Sequence, residues 1–252
     1  MISNPVFPPP ASNRKEVIQC VKRLLLSHEE YLVSPECKGG DGAPGKMLEL
    51  LCGARGLNRP MRDVCNLELK YKYGKSNLTL FHKDPVGGQA AFWPWVLSYG
   101  KLHDDNSMSF RCTVGRRSKK FRVVLSSGNL VLRPCDESDT REVYWDGNTL
   151  KNVASEKLQD ILLVNGKVRK DGENRFMTFD SALHLTGFMI DEFFNNIASH
   201  YIVLEFDACN NSNPQDPPKR NHGTKFRMNP KHVKYVWNKV ETHETIDHWV
   251  RR

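Results

Sequence analysis

The chain has no apolar run approaching the roughly 18–20 residues of a membrane-spanning helix. Its longest, near Tyr201-Ile202-Val203-Leu204, has the length of a buried strand. The opening "MISNPVFPPP" lacks the basic start and long apolar core of a secretory signal, and its prolines fit an extended arm. There is no CxxC pair. The seven cysteines are scattered and odd in number, which argues against a disulfide framework or a structural zinc site and fits a reducing cytoplasm. There is no Gly-x-Ser-x-Gly elbow. "HETIDH" spaces His243 and His248 five apart, about 140° around a helix, so they do not share the face that a zinc protease needs. "GDGAPGKM" matches a phosphate-binding loop up to its last position, where Met47 stands instead of the magnesium-binding hydroxyl. It also follows a loop containing Pro35 instead of an apolar strand, which argues against nucleotide hydrolysis.

Positive charge is what the chain has in excess. Its 252 residues carry a net charge of +8 and a pI near 9.1, with 39% hydrophobic residues to build a core as one large domain or two packed lobes. The balance fits a polyanionic partner. Basic residues cluster at Arg116-Arg117-Ser118-Lys119-Lys120, at Lys167–Lys170, and from Lys219-Arg220 to Lys225 and Arg227. Any one cluster alone also reads as a solvated face.

Apolar spacing predicts a helix over "NRKEVIQCVKRLLLSHEEYL", capped by Asn13, and a second over "KMLELLCGARG". Strands are predicted at 66–73 and 77–82, then a meander through "SFRCTVG", "FRVVLSS", "NLVLRP" and "EVYWDG". "GQAAFWPWVLSYG" is mixed, with a helix holding Trp93 and Trp95. "ASEKLQDILLVNGKVR" starts as a helix and ends as a strand. "DSALHLTGFMIDEFFNNI" reads as a helix, "YIVLEFDA" and "TKFRMN" as strands, and "PKHVKYVWNKV" as a closing helix. The class is mixed α/β (α+β). The expected organisation is an arm at 1–12, one lobe at 13–115 and a second at 116–252, with an approximate boundary and room for exchanged segments.

The stretch "RDVCNLELKYKYGKSNLTLFHKDP" carries the chemistry. Glu68 and Lys70 are two apart on a strand and leave by the same face, while Leu67 and Leu69 point to the core. With Asp63 upstream, two carboxylates and an ammonium can converge at one sheet end. Phosphodiester hydrolysis needs such a set: hard oxygen ligands for Mg²⁺, and a lysine to serve the attacking water. On spacing alone, Glu-x-Lys is also what an exposed strand with an ion pair shows. Glu49, on the helix before the strands, is a candidate third carboxylate, and His82 ends the next strand.

In this context "KSNLTLFHKDPVGGQ" after the Glu-x-Lys strand resembles the MvaI/BcnI family of type II restriction endonucleases, the BcnI-like branch most, within the PD-(D/E)xK nucleases. The mismatch-repair nicking enzyme MutH is a more distant likeness. The family's order of glycine loop, helix with a glutamate, Asp-x₄-Glu-x-Lys, "LTLF" strand and Lys-x-Pro is matched by Gly42/Gly45, Glu49, Asp63, Glu68, Lys70 and Leu78–Pro85. BcnI-like members carry a histidine at the place of His82. "RNHGTKFRM" resembles the family's recognition segment, with His222, Gly223 and Arg227 matching and with Arg220 and Asn221 replacing a histidine and an aspartate. The likeness covers about residues 38–90 and 219–229.

The resemblance implies a central mixed sheet flanked by helices, in two lobes forming a DNA-binding cleft. It implies a monomeric Mg²⁺-dependent endonuclease, with Mn²⁺ as a substitute and Ca²⁺ supporting binding without cleavage. The partner would be double-stranded DNA with a CC-N-GG-type pentanucleotide, cut one strand at a time. The setting would be a prokaryotic cytoplasm with a cognate methyltransferase and no membrane. Asp63 and Glu68 would hold metal, Lys70 would serve the water, and Glu49 and His82 would support the site. Arg220, Asn221, His222 and Arg227 are the base-reading candidates, the arginine fork suiting guanine O6 and N7. Lys46, Lys75, Arg116 and Lys119 are phosphate-contact candidates. A MutH-like nicking enzyme and a DNA-binding module with a dead site are the alternative readings.

Overall fold

A computed structural model describes residues 2–3, 5, 7–37, 40, 42–53, 67–115, 118–210, 220–221 and 223–244. The chain divides into two compact units that interleave along the sequence. One comprises Met1–Ser76, Glu156–Phe188 and Trp237–Arg252; the other comprises Asn77–Ser155 and Met189–Val236. A single boundary near residue 115 would fall inside the second unit.

The first unit is built on a four-stranded sheet, ordered Trp237–Glu244, Ser181–Phe188, Asp160–Gly166, Glu68–Tyr73. The last two strands run parallel, with Ile161 opposite Glu68 and Leu163 opposite Lys70, and the other neighbours are antiparallel. Two helices supply one core. Arg14–Ser27 buries Val17, Cys20, Val21, Leu24 and Leu25, and starts where the Asn13 side chain accepts from the Glu16 N–H at 3.2 Å. Ala43–Leu51 buries Met47, Leu48 and Leu51, with Pro44 in its first turn. Leu67, Leu69, Leu162 and Val164 complete this core. Tyr71 spans its edge and donates to the carbonyls of Thr178 (2.8 Å) and Lys167 (3.0 Å); burial pushes its hydroxyl pKa up. A smaller sheet, ordered Ile2–Ser3, Glu30–Leu32, Asn174–Met177, Val168–Asp171, takes in the N-terminal arm. On the main sheet His184 is buried, its Nε2 2.8 Å from Asp160 Oδ1. Arg14 reaches the other Asp160 oxygen at 2.7 Å, tying the first helix to the sheet.

The second unit carries the sheet Leu78–His82, Lys225–Met228, Ile202–Asn210, Met108–Val114, Lys101–Leu102, with Arg220–Asn221 also pairing Ile202–Asn210. Its core is aromatic: Phe81 stacks on Phe226 at 4.8 Å between ring centroids, with Phe92, Phe110, Trp145, Phe193 and Phe206 around them. Trp95 and Trp145 are almost fully buried, and Trp93 is half-buried.

Several elements differ from the sequence expectation. The expected four-strand meander has three members, Phe121–Ser126, Asn129–Pro134 and Val143–Trp145, because Met108–Val114 pairs with Ile202–Asn210 instead. "DSALHLTGFMIDEFFNNI" is a strand, Ser181–Phe188, followed by a helix, Ile190–Ala198. Ala182, Leu185 and Phe188 are spaced as on a helix, but the segment lies between two partner strands whose ladders satisfy its backbone on both edges. The closing helix over 230–240 is a short 3₁₀ turn, Pro230–Tyr235, and then the strand Trp237–Glu244, which is the outer partner of Ser181–Phe188.

The first unit has no slack at Gly166, where a Cβ would collide with the Thr178 carbonyl oxygen and the Tyr71 hydroxyl. Gly166→Ala is predicted to lower stability by about 1–3 kcal/mol through overpacking. Urea unfolding measures this, and an unchanged midpoint would contradict the close approach.

Candidate active site

The strand Glu68–Tyr73 divides its residues by their two-residue period. Leu67 and Leu69, 0% and 4% exposed, enter the helix-covered core, and Glu68, Lys70 and Lys72 leave by the other face. The three charged neighbours have different partners. Lys70 Nζ lies 2.8 Å from Glu68 Oε1. Lys72 Nζ turns away and donates to the carbonyls of Tyr73 (2.8 Å) and Gly74 (2.6 Å), which ties it to the turn after the strand. The Glu68–Lys70 ion pair that the spacing allowed is therefore present, but it is not a surface pair. Glu68 and Lys70 side chains are 9% and 15% exposed.

A second ammonium reaches the same carboxylate. Lys157 Nζ lies 3.2 Å from Glu68 Oε2, with its side chain 19% exposed. Lys157 stands in the last turn of the helix Gly147–Leu158, which delivers it just before the strand Asp160–Gly166 pairs with the Glu68 strand. Trp237 Nε1 donates to the Leu158 carbonyl at 2.7 Å and fixes that helix end. Sequence reasoning missed Lys157. The available signal was a lysine closing a helix immediately before an apolar strand, and nothing local ties that pattern to a carboxylate 89 residues earlier.

The remaining site residues are distributed as follows. Asp63, His222 and Arg116 lie outside the described residues. Glu49 is half-buried on the helix Ala43–Leu51, whose Met47 and Leu48 pack in the same core as Leu67 and Leu69. Lys46 on that helix, Lys75 in the turn after the strand, and Lys119 in the second unit are exposed. No group of three His, Cys, Asp or Glu close enough to hold a metal ion occurs among the described residues. Glu68 nonetheless offers what a hard divalent cation takes, two carboxylate oxygens in a nearly buried setting.

The second unit joins the two other sequence segments. Lys225 pairs with His82 across neighbouring strands, the Lys83 N–H donates to the Thr224 carbonyl at 3.0 Å, and Asp84 Oδ1 accepts from the Thr224 N–H at 3.3 Å. Gly223, in a left-handed conformation (φ 70°), is so close that a Cβ there would meet Asp84 Oδ1 at 3.4 Å and the His82 ring at 3.9 Å. His82 thus stands beside the segment expected to read bases. Arg220 and Asn221 form a short strand against Ala208 and Cys209. Arg227 donates through Nη1 to the Glu205 carboxylate and through Nη2 to the Asn77 carbonyl at 2.7 Å. Lys225 lies 3.5 Å from Glu205 and 3.8 Å from Asp207, and Arg111 lies 3.1 Å from Asp207. One sheet face therefore carries alternating charges of both signs.

A family model described as the MvaI/BcnI restriction endonuclease family matches residues 22–237. Among solved structures, the chain is similar to restriction endonuclease MvaI in complex with its cognate DNA substrate, at 20% identity and a TM-score of 0.77, covering 92% of this chain and 99% of that one. It is also similar to MvaI in the absence of DNA, at 19% identity and a TM-score of 0.56, covering 94% and 99%. No curated protein sequence matches. A family match over most of the chain defines a restriction endonuclease, a hydrolase of phosphodiester bonds. The chain belongs to the MvaI/BcnI restriction endonuclease family.

The Glu68 carboxylate, 9% exposed, holds the Lys70 ammonium at 2.8 Å. Glu68→Gln is predicted to lower the stability of the metal-free protein by about 1–3 kcal/mol, because it removes the charge that pairs with Lys70 in a setting that water screens poorly. Urea unfolding in a chelator tests this. An unchanged or raised midpoint would mean that the carboxylate charge is not what holds Lys70.

Proposed function

We propose that the protein is a Mg²⁺-dependent, sequence-specific endonuclease of double-stranded DNA, acting as a monomer and cutting the two strands in turn. The observation that carries this reading is the nearly buried Glu68–Lys70 pair, presented on one face of a core-backed strand in a chain of this family. The similarity to MvaI in complex with its cognate DNA supports double-stranded DNA as partner, and the net charge of +8 agrees.

Glu68 would hold the metal with Asp63. Mg²⁺ bound there supplies polarisation of the phosphate and a water of lowered pKa. Lys70, whose ammonium lies 2.8 Å from the Glu68 oxygen, would serve the attacking water. Glu49 supports the carboxylate set. His82 supports the same site, and within its own unit it has Gly223 beside it. Arg220, Asn221, His222 and Arg227 read base edges, and the Glu205 carboxylate orients the Arg227 guanidinium. Lys46, Lys75, Arg116 and Lys119 contact phosphates and position without specifying. The target is a pentanucleotide of the CC-N-GG type. Arg220 and Asn221 replace two residues of the family's recognition segment, so its central base and cut position are to be read from digestion products. The biological setting we assign is a prokaryotic cytoplasm with a matching methyltransferase.

Digestion of unmethylated plasmid DNA with Mg²⁺ should give discrete fragments, and end sequencing gives the site and stagger together. Lys70→Ala should reduce cutting by at least about a thousandfold while oligonucleotide binding in Ca²⁺ survives. Absence of discrete fragments across diverse unmethylated DNAs would overturn the reading.

A further inference from the structure

Resting on the reading of residues 220–227 as the base-reading segment, we propose that Asp84 is a positioning residue for sequence recognition. Its carboxylate fixes the main chain at Gly223–Thr224 and thereby sets how the segment that carries Arg220 and Asn221 is presented to the base edges.

The argument starts from what holds Thr224. The residue is 1% exposed, and its hydroxyl has no hydrogen-bond partner among the described residues. It is tied through its main chain instead. The Thr224 carbonyl accepts from the Lys83 N–H at 3.0 Å, and the Thr224 N–H donates to Asp84 Oδ1 at 3.3 Å. A buried N–H needs an acceptor, and here the acceptor is a carboxylate rather than a strand partner. Gly223 takes the left-handed conformation, and a Cβ there would meet the same Asp84 oxygen at 3.4 Å. One oxygen therefore faces both residues of this turn.

The support is itself fixed. The Lys83 carbonyl accepts from Nε1 of the buried Trp145 at 2.9 Å, and the Val86 N–H donates to the Tyr144 carbonyl at 2.8 Å. The stretch 83–86 is thus fastened to the strand Val143–Trp145 on one side and carries Thr224 on the other. A cavity of about 200 Å³, lined in part by Asp84, Pro85, Trp145 and Leu150, adjoins it. Packing leaves the Asp84 side chain room to turn away, so hydrogen bonding keeps it at Thr224.

The reading segment has a second anchor, the pairing of Arg220 and Asn221 with Cys209 and Ala208. Asp84 holds the other end, at Gly223–Thr224. Donors and acceptors discriminate bases only when they are held to within about half an ångström, so a carboxylate that touches no base can decide which base is accepted.

The test uses the whole chain and three duplex oligonucleotides in Ca²⁺. One carries the site read from digestion products, one has a single base pair of that site changed, and one is unrelated. Asp84→Ala should bind the site duplex roughly ten- to a hundredfold more weakly, and its preference for that duplex over the changed one should fall with it. Affinity for the unrelated duplex and the slope of log K against log salt should stay native, because no phosphate contact is lost. Asp84→Asn keeps an acceptor oxygen without the charge and should stay within about threefold of the native protein on all three. If the alanine variant does not fold, Asp84→Glu, which displaces the oxygen by one methylene, should show the same selective loss. Equal loss on all three duplexes, an undiminished preference for the site, or an asparagine variant as impaired as the alanine one would overturn the inference. Failure of the underlying reading looks different: the native protein would not distinguish the three duplexes, or Arg220→Ala and Asn221→Ala would distinguish them as well as the native protein does.

Discussion

The site depends on one constraint, the two-residue period of a strand backed by a core on one side only. Leu67 and Leu69 are sealed under the helices Arg14–Ser27 and Ala43–Leu51, so Glu68 and Lys70 have no choice of face. A one-residue slip would bury the carboxylate among leucines and put Leu69 on the face that carries Glu68 and Lys70. The parallel pairing with Asp160–Gly166 fixes the register further, since Leu162 and Val164 join the same core as Leu69. Apolar packing here does what a rigid template does for a catalytic group. It sets the direction of a side chain through contacts the substrate never meets.

The Glu68 carboxylate also gathers charge from two segments of its unit. Lys70 and Lys157 converge on it from different segments, while Lys72, on the same face, is withdrawn into the turn. Three lysines near one strand thus have three fates, and partner geometry rather than residue type separates them. In the second unit the same logic runs with the signs mixed. Glu205 and Asp207 hold Arg227, Lys225 and Arg111 in an ordered array, so that flexible cationic side chains become oriented ones. An oriented guanidinium loses less freedom on meeting a base edge than a free one does.

Much of this was legible in the chain. The Glu68 and Leu78 strands, the first helix with its Asn13 cap, and the opposition of Leu67/Leu69 to Glu68/Lys70 all follow from local periodicity, and the structure has them, although the helix stops at Ser27 and Glu30–Leu32 is a strand. Family membership was readable from the ordered motifs. What could not be read depends on partners distant in sequence. Ser181–Phe188 has helix-like apolar spacing and becomes a strand because two other strands flank it. Met108–Val114 leaves its neighbours in sequence for Ile202–Asn210. Lys157 has only the mark of a lysine closing a helix before an apolar strand, and its contact with the Glu68 carboxylate arises only through folding. His82, expected to support the site because BcnI-like members carry a histidine there, has Gly223 beside it within its own unit, a nearness that sequence order does not show.

The interleaving of the two units has a practical consequence for anyone who would reshape the enzyme. One unit is assembled from three stretches of chain and the other from two, so the chain passes between them four times, once within the helix Gly147–Leu158. Neither unit exists as a contiguous gene fragment. The stretch bearing residues 220–227 cannot be exchanged between relatives as a cassette without Asn77–Ser155, because Leu78–His82 pairs directly with Lys225–Met228 and Met108–Val114 with Ile202–Asn210. Recombination along this sequence therefore breaks sheets wherever a single crossover falls, and new specificities are better sought by substitution on an intact framework than by swapping parts.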